Sequence, residues 1–331
     1  MLFFLVLVLG TMISISSYSW MGMWMGLEMN LLAIIPVMHS PNNAMTTEST
    51  IKYFITQAIA SSMILFSILL ISVNMQIPSM MLNKSTIMMI MNSCLLMKMG
   101  AAPFHFWFPE VMEGLSWMNC LLMLTWQKIA PMVIIMYNLY STTFAEMTII
   151  MSMMISGILG INQVSTRKIM TYSSINHIGW MMAAMMYEKT TWTIYFMIYS
   201  AISTSMILYL KWNKISSLNQ IQMSQNSKNQ KIFFMLSFLN LAGIPPFMGF
   251  FPKWIVIQLM IENQQFMMTT LMTLMTLIPV FMYTRPLMSS MMMKTEMKWK
   301  TFSNWKSTIL SSMNLLTIMG LPTCTMIFSQ A

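Results

Sequence analysis

The sequence predicts an all-α polytopic membrane protein with about eleven transmembrane helices, and three observations support this fold class. Of the 331 residues, 57% are hydrophobic and 8% are charged, whereas about a quarter of a soluble domain is charged. Apolar stretches of about 20 residues, long enough to cross a hydrocarbon core of about 30 Å, recur along the chain. Two of them contain helix breakers, and four charged residues lie deep inside such stretches.

The candidate helices begin at the first residue. That segment lacks a basic region and a small-residue cleavage site, so we expect a membrane helix there, not a removable signal peptide. The longest polar connection, Lys211–Lys231, is too short to form a second core, which predicts one membrane domain over residues 1–331. The candidates lie at about 1–19, 21–39, 50–73, 84–110, 116–140, 144–161, 168–186, 191–212, 231–260, 264–289 and 306–328.

Two candidate helices contain breakers at membrane depth. The first has Gly100 and Pro103, and the second has Gly243, Pro245 and Pro246. Proline removes a backbone donor and clashes with the preceding turn. Backbone groups opened at that depth need protein or a wet cavity to satisfy them. Paired broken helices in corresponding positions of two halves are typical of inverted-repeat transporters, where they mark the ion site.

Matching the two breaks predicts two inverted five-helix repeats, at about 1–140 and 144–289, followed by a C-terminal helix at about 306–328. With eleven spans, the two termini lie on opposite sides of the membrane. The basic residues assigned to the loops are concentrated on the N-terminal side, which predicts that the N-terminus lies on the matrix or cytoplasmic side. The residues on that side are Lys52, Arg167, Lys168, Lys211, Lys214, Lys228, Lys231, Lys294, Lys298, Lys300 and Lys306, against Lys84 and Lys189 on the other. This asymmetry accounts for most of the net charge of +9, so no nucleic-acid partner is implied.

Glu28, Lys98, Lys128 and Lys253 are the charges inside the apolar stretches. An ionisable residue there is costly and usually marks an ion or proton pathway. Structural alternatives remain for three of them. Glu28 could cap a neighbouring helix, Lys98 could extend its amine to the headgroups, and Lys253 could be a helix-end lysine after a proline. Lys128, near the middle of its helix, is the hardest to explain structurally.

The histidines and cysteines carry weaker signals. His105 and His177 are possible secondary proton relays, because histidine titrates near neutral pH, although either could simply pack and donate to a carbonyl. Cys94, Cys120 and Cys324 lie in apolar segments without CxxC spacing, which argues against disulfides and bound metal. No glycine-rich nucleotide motif follows a strand-like run. We therefore expect no metal and no cofactor in this chain.

The four buried charges suggest a proton path. Burial disfavours a charged amine, and a nearby carboxylate favours it. A Glu28–Lys98 pair would hold the lysine protonated, and opening that pair would release the proton through water toward Lys128. Lys128 would then act on Lys253 by repulsion between like charges.

Six stretches, four of which contain these charges, resemble the mitochondrially encoded chain 2 family of NADH:ubiquinone oxidoreductase, respiratory complex I. They are distributed over most of the chain and together are highly specific. They are WMGLEMNLLAIIPVM (24–38), ESTIKYFITQAIAS (48–61), LLMKMGAAPFHFWFPEVMEGL (95–115), LTWQKIAP (124–131), GINQVSTRKIMTYSSINHIGWMM (160–182) and LAGIPPFMGFFPKW (241–254).

The resemblance implies an antiporter-like, proton-pumping subunit of the mitochondrial inner membrane, with its C-terminus in the intermembrane space. The family's functional glutamate and lysines fall on Glu28, Lys98, Lys128 and Lys253. Quinone reduction elsewhere in the complex drives proton movement here. NADH, FMN, iron–sulfur clusters and ubiquinone are then expected in partner subunits, and the partners are other membrane-arm subunits, accessory subunits and phospholipids.

Two other classes remain open. A subunit of a multi-subunit cation/proton antiporter would share the lysines and the broken helices but would have no redox partner. A structural membrane scaffold would need no charges at mid-membrane depth, and the four described above argue against it.

Overall fold

The computed structural model describes residues 2–40, 43–76, 84–138, 142–218, 220 and 228–292. In this part of the chain the regular structure is helical, with one isolated bridge between Ser165 and Ser217. Six helical spans in these residues are long and apolar enough to cross a membrane, and one of them, Trp117–Tyr137, is interrupted at Thr125. The predicted all-helical membrane class is therefore confirmed, while the candidate helix at 306–328 lies outside the described residues.

Several helices are shorter than the apolar stretches that contain them, because turns interrupt those stretches. The helices are α1 (Leu2–Ser16), α2 (Trp20–Met38), α3 (Ala44–Gln76), α4 (Lys84–Met99), α5 (Trp107–Gly114), α6 (Trp117–Leu124), α7 (Trp126–Tyr137), α8 (Thr142–Ile161), α9 (Thr166–Tyr187), α10 (Lys189–Asn213), α11 (Lys228–Ala242), α12 (Phe250–Glu262) and α13 (Phe266–Met292).

The chain divides into two compact units at residues 151 and 152. In the first unit, α2 packs on α1 and α3, and α4 packs between α3 and α7. The contact between α1 and α2 is close at Gly26, where an added Cβ would lie 2.8 Å from the carbonyl oxygen of Gly10. The absence of a side chain at this position thus sets the distance between the two helices, as in other small-residue membrane contacts.

The second unit is built around α9, which is buried along most of its length. α9 packs against α10, α12 and α13, and α11 packs against α10 and α13. Because α9 has buried residues on all its faces, its polar residues Asn176 and His177 lie inside the unit.

One prediction about a loop position is wrong, and one predicted span contains an interruption. Lys52, which we assigned to a loop, lies in the third turn of α3, because this helix begins at Ala44. The polar start of this helix is stable because hydroxyls bond to carbonyls three residues earlier, such as Thr47 to Ala44 and Ser49 to Thr46. The span predicted at 116–140 is confirmed as Trp117–Tyr137, although its helix is interrupted at Thr125. Lys128 therefore lies in the first turn of α7 and near the middle of this span.

Candidate proton-transfer sites

The first break, which follows α4, has the backbone of a helix end that only glycine adopts readily. Gly100 has a φ of +73°, in the left-handed region that is costly for residues with a Cβ. The N–H of Gly100 donates to the carbonyl of Met97, and that of Ala101 donates to the carbonyl of Leu96. This is the Schellman pattern of helix termination. The chain then passes through a cis bond before Pro103.

Lys98 lies two residues before Gly100, in the last turn of α4, and is buried, with 7% of its surface exposed. Its carbonyl, freed by the helix end, accepts a hydrogen bond from the side-chain amide of Gln57 at 3.4 Å. A small cavity adjoins Lys98, with room for roughly one water molecule. Its lining is Leu27, Asn30, Leu31, Tyr53, Gln57, Lys98, Gln127 and Pro131. The lysine thus lies at a polar cavity enclosed by α2, α3, α4 and α7.

Glu28 is half-buried on α2, next in the chain to Leu27, which lines the cavity. Its carboxylate interacts electrostatically with the amine of Lys98. The salt bridges in the described residues do not include this pair; they join Lys52 to Glu48 and to Glu110. The hypothesised direct pairing of Glu28 and Lys98 is therefore absent in this conformation, and the two charges act on each other across a gap.

Lys128 is more deeply buried than Lys98 and Lys253, with 1% of its surface exposed. Its amine lies 5.7 Å from the ring centroid of Phe108, the distance of a cation–π contact. The same ring fills the space left by Gly100, whose added Cβ would lie 3.0 Å from it. Phe108 therefore connects the first break to the Lys128 amine.

The interruption at Thr125 places Lys128 in this position. The Thr125 hydroxyl donates to the carbonyl of Leu121 at 2.8 Å, and the N–H of Lys128 donates to the carbonyl of Thr125 at 3.2 Å. Pro131, one turn further on, has no N–H to donate to the carbonyl of Gln127. The sequence contained this signal in the Pro131 of WQKIAP, but a proline inside a helix alone does not say where the turn opens.

The second break, between α11 and α12, repeats the backbone of the first. Gly243 has a φ of +70°, and a cis bond precedes Pro246. The N–H of Gly243 donates to the carbonyl of Asn240, and that of Ile244 donates to the carbonyl of Leu239. The break is thus closed by the same Schellman pattern, with the proline at the same distance from the glycine.

Lys253 lies in the first turn of α12, as the helix-end alternative predicted, but it is buried, with 7% of its surface exposed. Its amine donates to the carbonyl of Ala242 at 2.7 Å and lies 6.0 Å from the ring centroid of Trp180. The carbonyl belongs to the last residue of α11, where the helix dipole is negative. A charged amine is therefore stabilised at this position by the end of the broken helix.

The histidines occupy different settings in the two units. His105 lies within the first break, and its Nδ1 is 3.2 Å from the carbonyl of Pro103. Its Nε2 is buried without a hydrogen-bond partner among the described residues. In the second unit, Nδ1 of His177 is 2.8 Å from the hydroxyl of Tyr195, and the ring of Tyr199 packs on the imidazole. The relay role of His105 and His177 therefore stays a prediction.

Some residues beside the lysines were not predicted from the sequence. Asn30, Gln57 and Gln127 line the cavity at Lys98, and Trp180 lies beneath the amine of Lys253. The sequence carried a signal, since polar amides within apolar membrane helices usually bond to a neighbouring helix. No group of three or more His, Cys, Asp or Glu residues within the described ranges is placed to hold a metal ion.

Comparisons with known proteins agree on one family. The model of the transmembrane family described as NADH:quinone oxidoreductase/Mrp antiporter matches residues 17–279. The NADH-ubiquinone oxidoreductase chain 2 of Anopheles gambiae is 44% identical over 99% of this chain and 97% of its own length. That of Aedes aegypti is 46% identical over the same shares of the two chains, 99% and 97%. The chain belongs to the NADH-ubiquinone oxidoreductase chain 2 family.

A solved structure supports the fold of this family member. A chain in the structure of respiratory complex I from Thermus thermophilus with bound aureothin aligns with a TM-score of 0.83 at 20% sequence identity. The alignment covers 97% of this chain and 77% of that chain. The described helices therefore have the antiporter-like fold of a complex I membrane subunit.

Proposed function

We propose that this chain translocates protons as a membrane subunit of mitochondrial NADH:ubiquinone oxidoreductase, driven by electron transfer in partner subunits. The observation that carries this proposal is the burial of three lysines, Lys98, Lys128 and Lys253, each beside an interrupted helix. Such charges are costly inside a membrane and are retained where ions or protons move. Because the chain belongs to the chain 2 family, the redox complex in which it works is NADH:ubiquinone oxidoreductase.

In the first unit, Lys98 holds a proton while the carboxylate of Glu28 acts on it, and releases it when that interaction weakens. The cavity beside Lys98 supplies water for the transfer, and Lys128 is the acceptor. Phe108 keeps the Lys128 amine against its ring in the charged state, because the ring face attracts a cation. His105 is a secondary relay at the break.

In the second unit, Lys253 exchanges its proton at the C-terminal end of α11. The charged amine is held by the Ala242 carbonyl and the helix dipole. A neutral amine loses most of this stabilisation, so the site responds to the charge of its surroundings, including that of Lys128. His177, held by Tyr195, is the secondary relay here.

The proposal extends to the architecture and the location of the chain. We propose eleven spans in two inverted five-helix repeats, with the breaks at Gly100 and Gly243 in corresponding positions and both ion sites at mid-membrane. The shared backbone of the two breaks supports this arrangement. The N-terminus lies in the matrix of mitochondria and the C-terminus in the intermembrane space. The chain binds no redox cofactor, and its partners are other complex I subunits and phospholipids.

One experiment tests the assignment to the complex. Mitochondrial membranes are solubilised in mild detergent, separated on a native gel and stained for NADH oxidation. We expect peptides of this chain in a very large NADH-oxidising band. Peptides only in a small, inactive band would refute the redox assignment. That result would favour the second candidate, a cation/proton antiporter subunit, which the description of the matching family model also includes.

A second experiment tests the lysines. The complex that contains Lys98→Ala or Lys128→Ala is reconstituted into vesicles, and proton uptake is measured with a pH-sensitive dye alongside NADH oxidation. We expect each variant to lose most proton uptake. If both variants keep normal proton uptake per NADH oxidised, the proposed path through these residues is wrong.

A further inference from the structure

Two buried side-chain amides form a closed pair beside Lys98. The Nδ2 of Asn30 donates to Oε1 of Gln127 at 3.0 Å, and the Nε2 of Gln127 donates to Oδ1 of Asn30 at 3.1 Å. Their exposed fractions are 3% and 9%. Burying two amides is more costly than packing two apolar side chains at the same contact. The pair therefore calls for an explanation beyond helix packing.

The position of the amide pair explains why it is buried there. Asn30 follows Glu28 by two residues on α2, and Gln127 directly precedes Lys128 on α7. Both amides line the cavity at Lys98, which has room for roughly one water molecule. The pair is thus adjacent in sequence or space to three of the four charges assigned to the proton path.

The pair also lies where the path must continue. Neighbouring residues on a helix point about 100° apart, so Gln127 faces the cavity while the Lys128 amine lies against Phe108. A water beside Lys98 therefore lies in the cavity that the two amides line, and Lys128 directly follows Gln127 in the chain. Each amide uses one N–H and one acceptor lone pair in the closed pair and keeps one of each for other partners.

We propose that the Asn30–Gln127 pair gates proton transfer from Lys98 to Lys128, an inference that rests on the proposed function. While the pair is closed, the two amides satisfy each other and the hydrated space ends at Lys98. When it opens, the freed N–H and carbonyl groups orient additional water toward Lys128. The Lys98 ammonium then loses one proton and becomes a neutral amine, and the neutral Lys128 amine gains one. The amides are positioning residues: they orient water and keep their own protons.

Gln127→Met and Asn30→Leu test the gate, because each replaces an amide with an apolar side chain of similar size. The chain offers a matched control in Asn92, whose Nδ2 donates to the carbonyl of Asn138 at 3.0 Å and whose Oδ1 accepts from Nδ2 of Asn138 at 2.8 Å. Asn92→Leu removes a comparable buried amide contact between α4 and the end of α7, away from the cavity. Any general cost to helix packing should appear in the control as well.

Proton uptake and NADH oxidation are measured on reconstituted complex for all three variants, in H₂O and in D₂O. We expect Gln127→Met and Asn30→Leu to slow proton uptake about tenfold, the effect of losing one buried hydrogen bond of about 1.4 kcal/mol to the transferring water. The solvent isotope effect on uptake should rise, because proton transfer becomes rate-limiting. Asn92→Leu should leave both quantities unchanged.

The exchanged pair Asn30→Gln/Gln127→Asn keeps two amides on the same helices and should restore at least half of the lost rate. It also tests the gate if a single variant fails to assemble. The inference is overturned if Gln127→Met and Asn30→Leu behave like Asn92→Leu, or if the exchanged pair restores nothing. The proposed function fails separately, when Lys98→Ala and Lys128→Ala leave proton uptake intact.

Discussion

The two helix breaks have the same backbone and hold their lysines in different ways. In each, a glycine of positive φ closes the preceding helix, a proline follows three residues later, and the next helix begins seven residues after the glycine. The sequences PFHFWFPE and PFMGFFPK align across them without a gap. Yet Lys98 precedes its glycine by two residues, whereas Lys253 follows its own by ten.

Because the lysines differ in position, the free carbonyls at the two helix ends have different hydrogen-bond donors. At the first break, the carbonyl of Lys98 accepts from the Gln57 amide, and the lysine side chain adjoins a polar cavity near Glu28. After the second break, the Lys253 amine itself donates to the freed carbonyl of Ala242. One turn geometry thus serves two purposes: in the first unit it positions a lysine beside water, and in the second it binds a lysine directly.

The largest effect that separates the two breaks is expected from Gly243→Ala. A residue with a Cβ at this φ costs about 1–2 kcal/mol, and the new Cβ would lie 2.7 Å from Nζ of Lys253. The substitution therefore displaces the amine from the Ala242 carbonyl as well as straining the turn. We expect proton uptake to fall at least tenfold in reconstituted complex.

Gly100→Ala is the matched control, because the backbone strain is the same and the new Cβ meets the Phe108 ring instead of a lysine amine. It should lower the thermal midpoint of the complex about as much as Gly243→Ala and reduce proton uptake less. Equal losses of uptake in the two variants would mean that strain, and not displacement of Lys253, determines the effect.

An intermediate effect is expected from Phe108→Leu. The ring supports Lys128 in its charged state, and a cation–π contact away from water contributes about 1–2 kcal/mol. A leucine fills part of the space without a ring face, so Lys128 holds its proton less often. We expect proton uptake to fall about threefold to tenfold, which corresponds to about 0.7–1.4 kcal/mol. The measurement is initial proton uptake at saturating NADH and quinone.

Phe247→Leu is the control, since it removes the same atoms from a buried phenylalanine beside the second break. If it slows uptake as much as Phe108→Leu does, the loss comes from packing alone and the ring has no particular effect on Lys128.

The parts of this arrangement that depend on residue type could be predicted from the sequence. Glycine and proline at membrane depth indicated the breaks, and lysines without charged neighbours indicated buried charges. The interruption at Thr125 could not be located, because threonine is common within membrane helices and the bond from its hydroxyl to the carbonyl of Leu121 is one that threonine also makes in uninterrupted helices. The start of α3 at Ala44 was missed for a related reason. A hydropathy argument counts the Thr and Ser residues of its first turns as polar, although hydroxyls such as those of Thr47 and Ser49 bond to carbonyls of the same helix.

The contacts of the lysines depend on tertiary packing and could not be derived. Lys98 and Gln127 come together only when α4 and α7 pack, and the cation–π partner of Lys128 lies on a third helix. Glu28 and Lys98 lie close enough to interact electrostatically, but they do not form the direct ion pair that we hypothesised. Charge and hydrophobicity specify which groups must be accommodated, while the position of a single water or amide depends on how the helices cross.

The smallest effect is expected at Glu110, which occupies the position in the first break that Lys253 occupies in the second. Its carboxylate is exposed and accepts from Lys52 at 3.0 Å, and Lys52 also pairs with Glu48 at 2.8 Å. Exposed ion pairs contribute little to stability, and Lys52 keeps a partner after Glu110→Gln. Proton uptake should therefore stay within about twofold of the unchanged complex, whereas Lys253→Met should abolish most of it. A large loss in Glu110→Gln would show that the aligned position has a function in both units, and that the two breaks differ in the sign of the charge and not in their role.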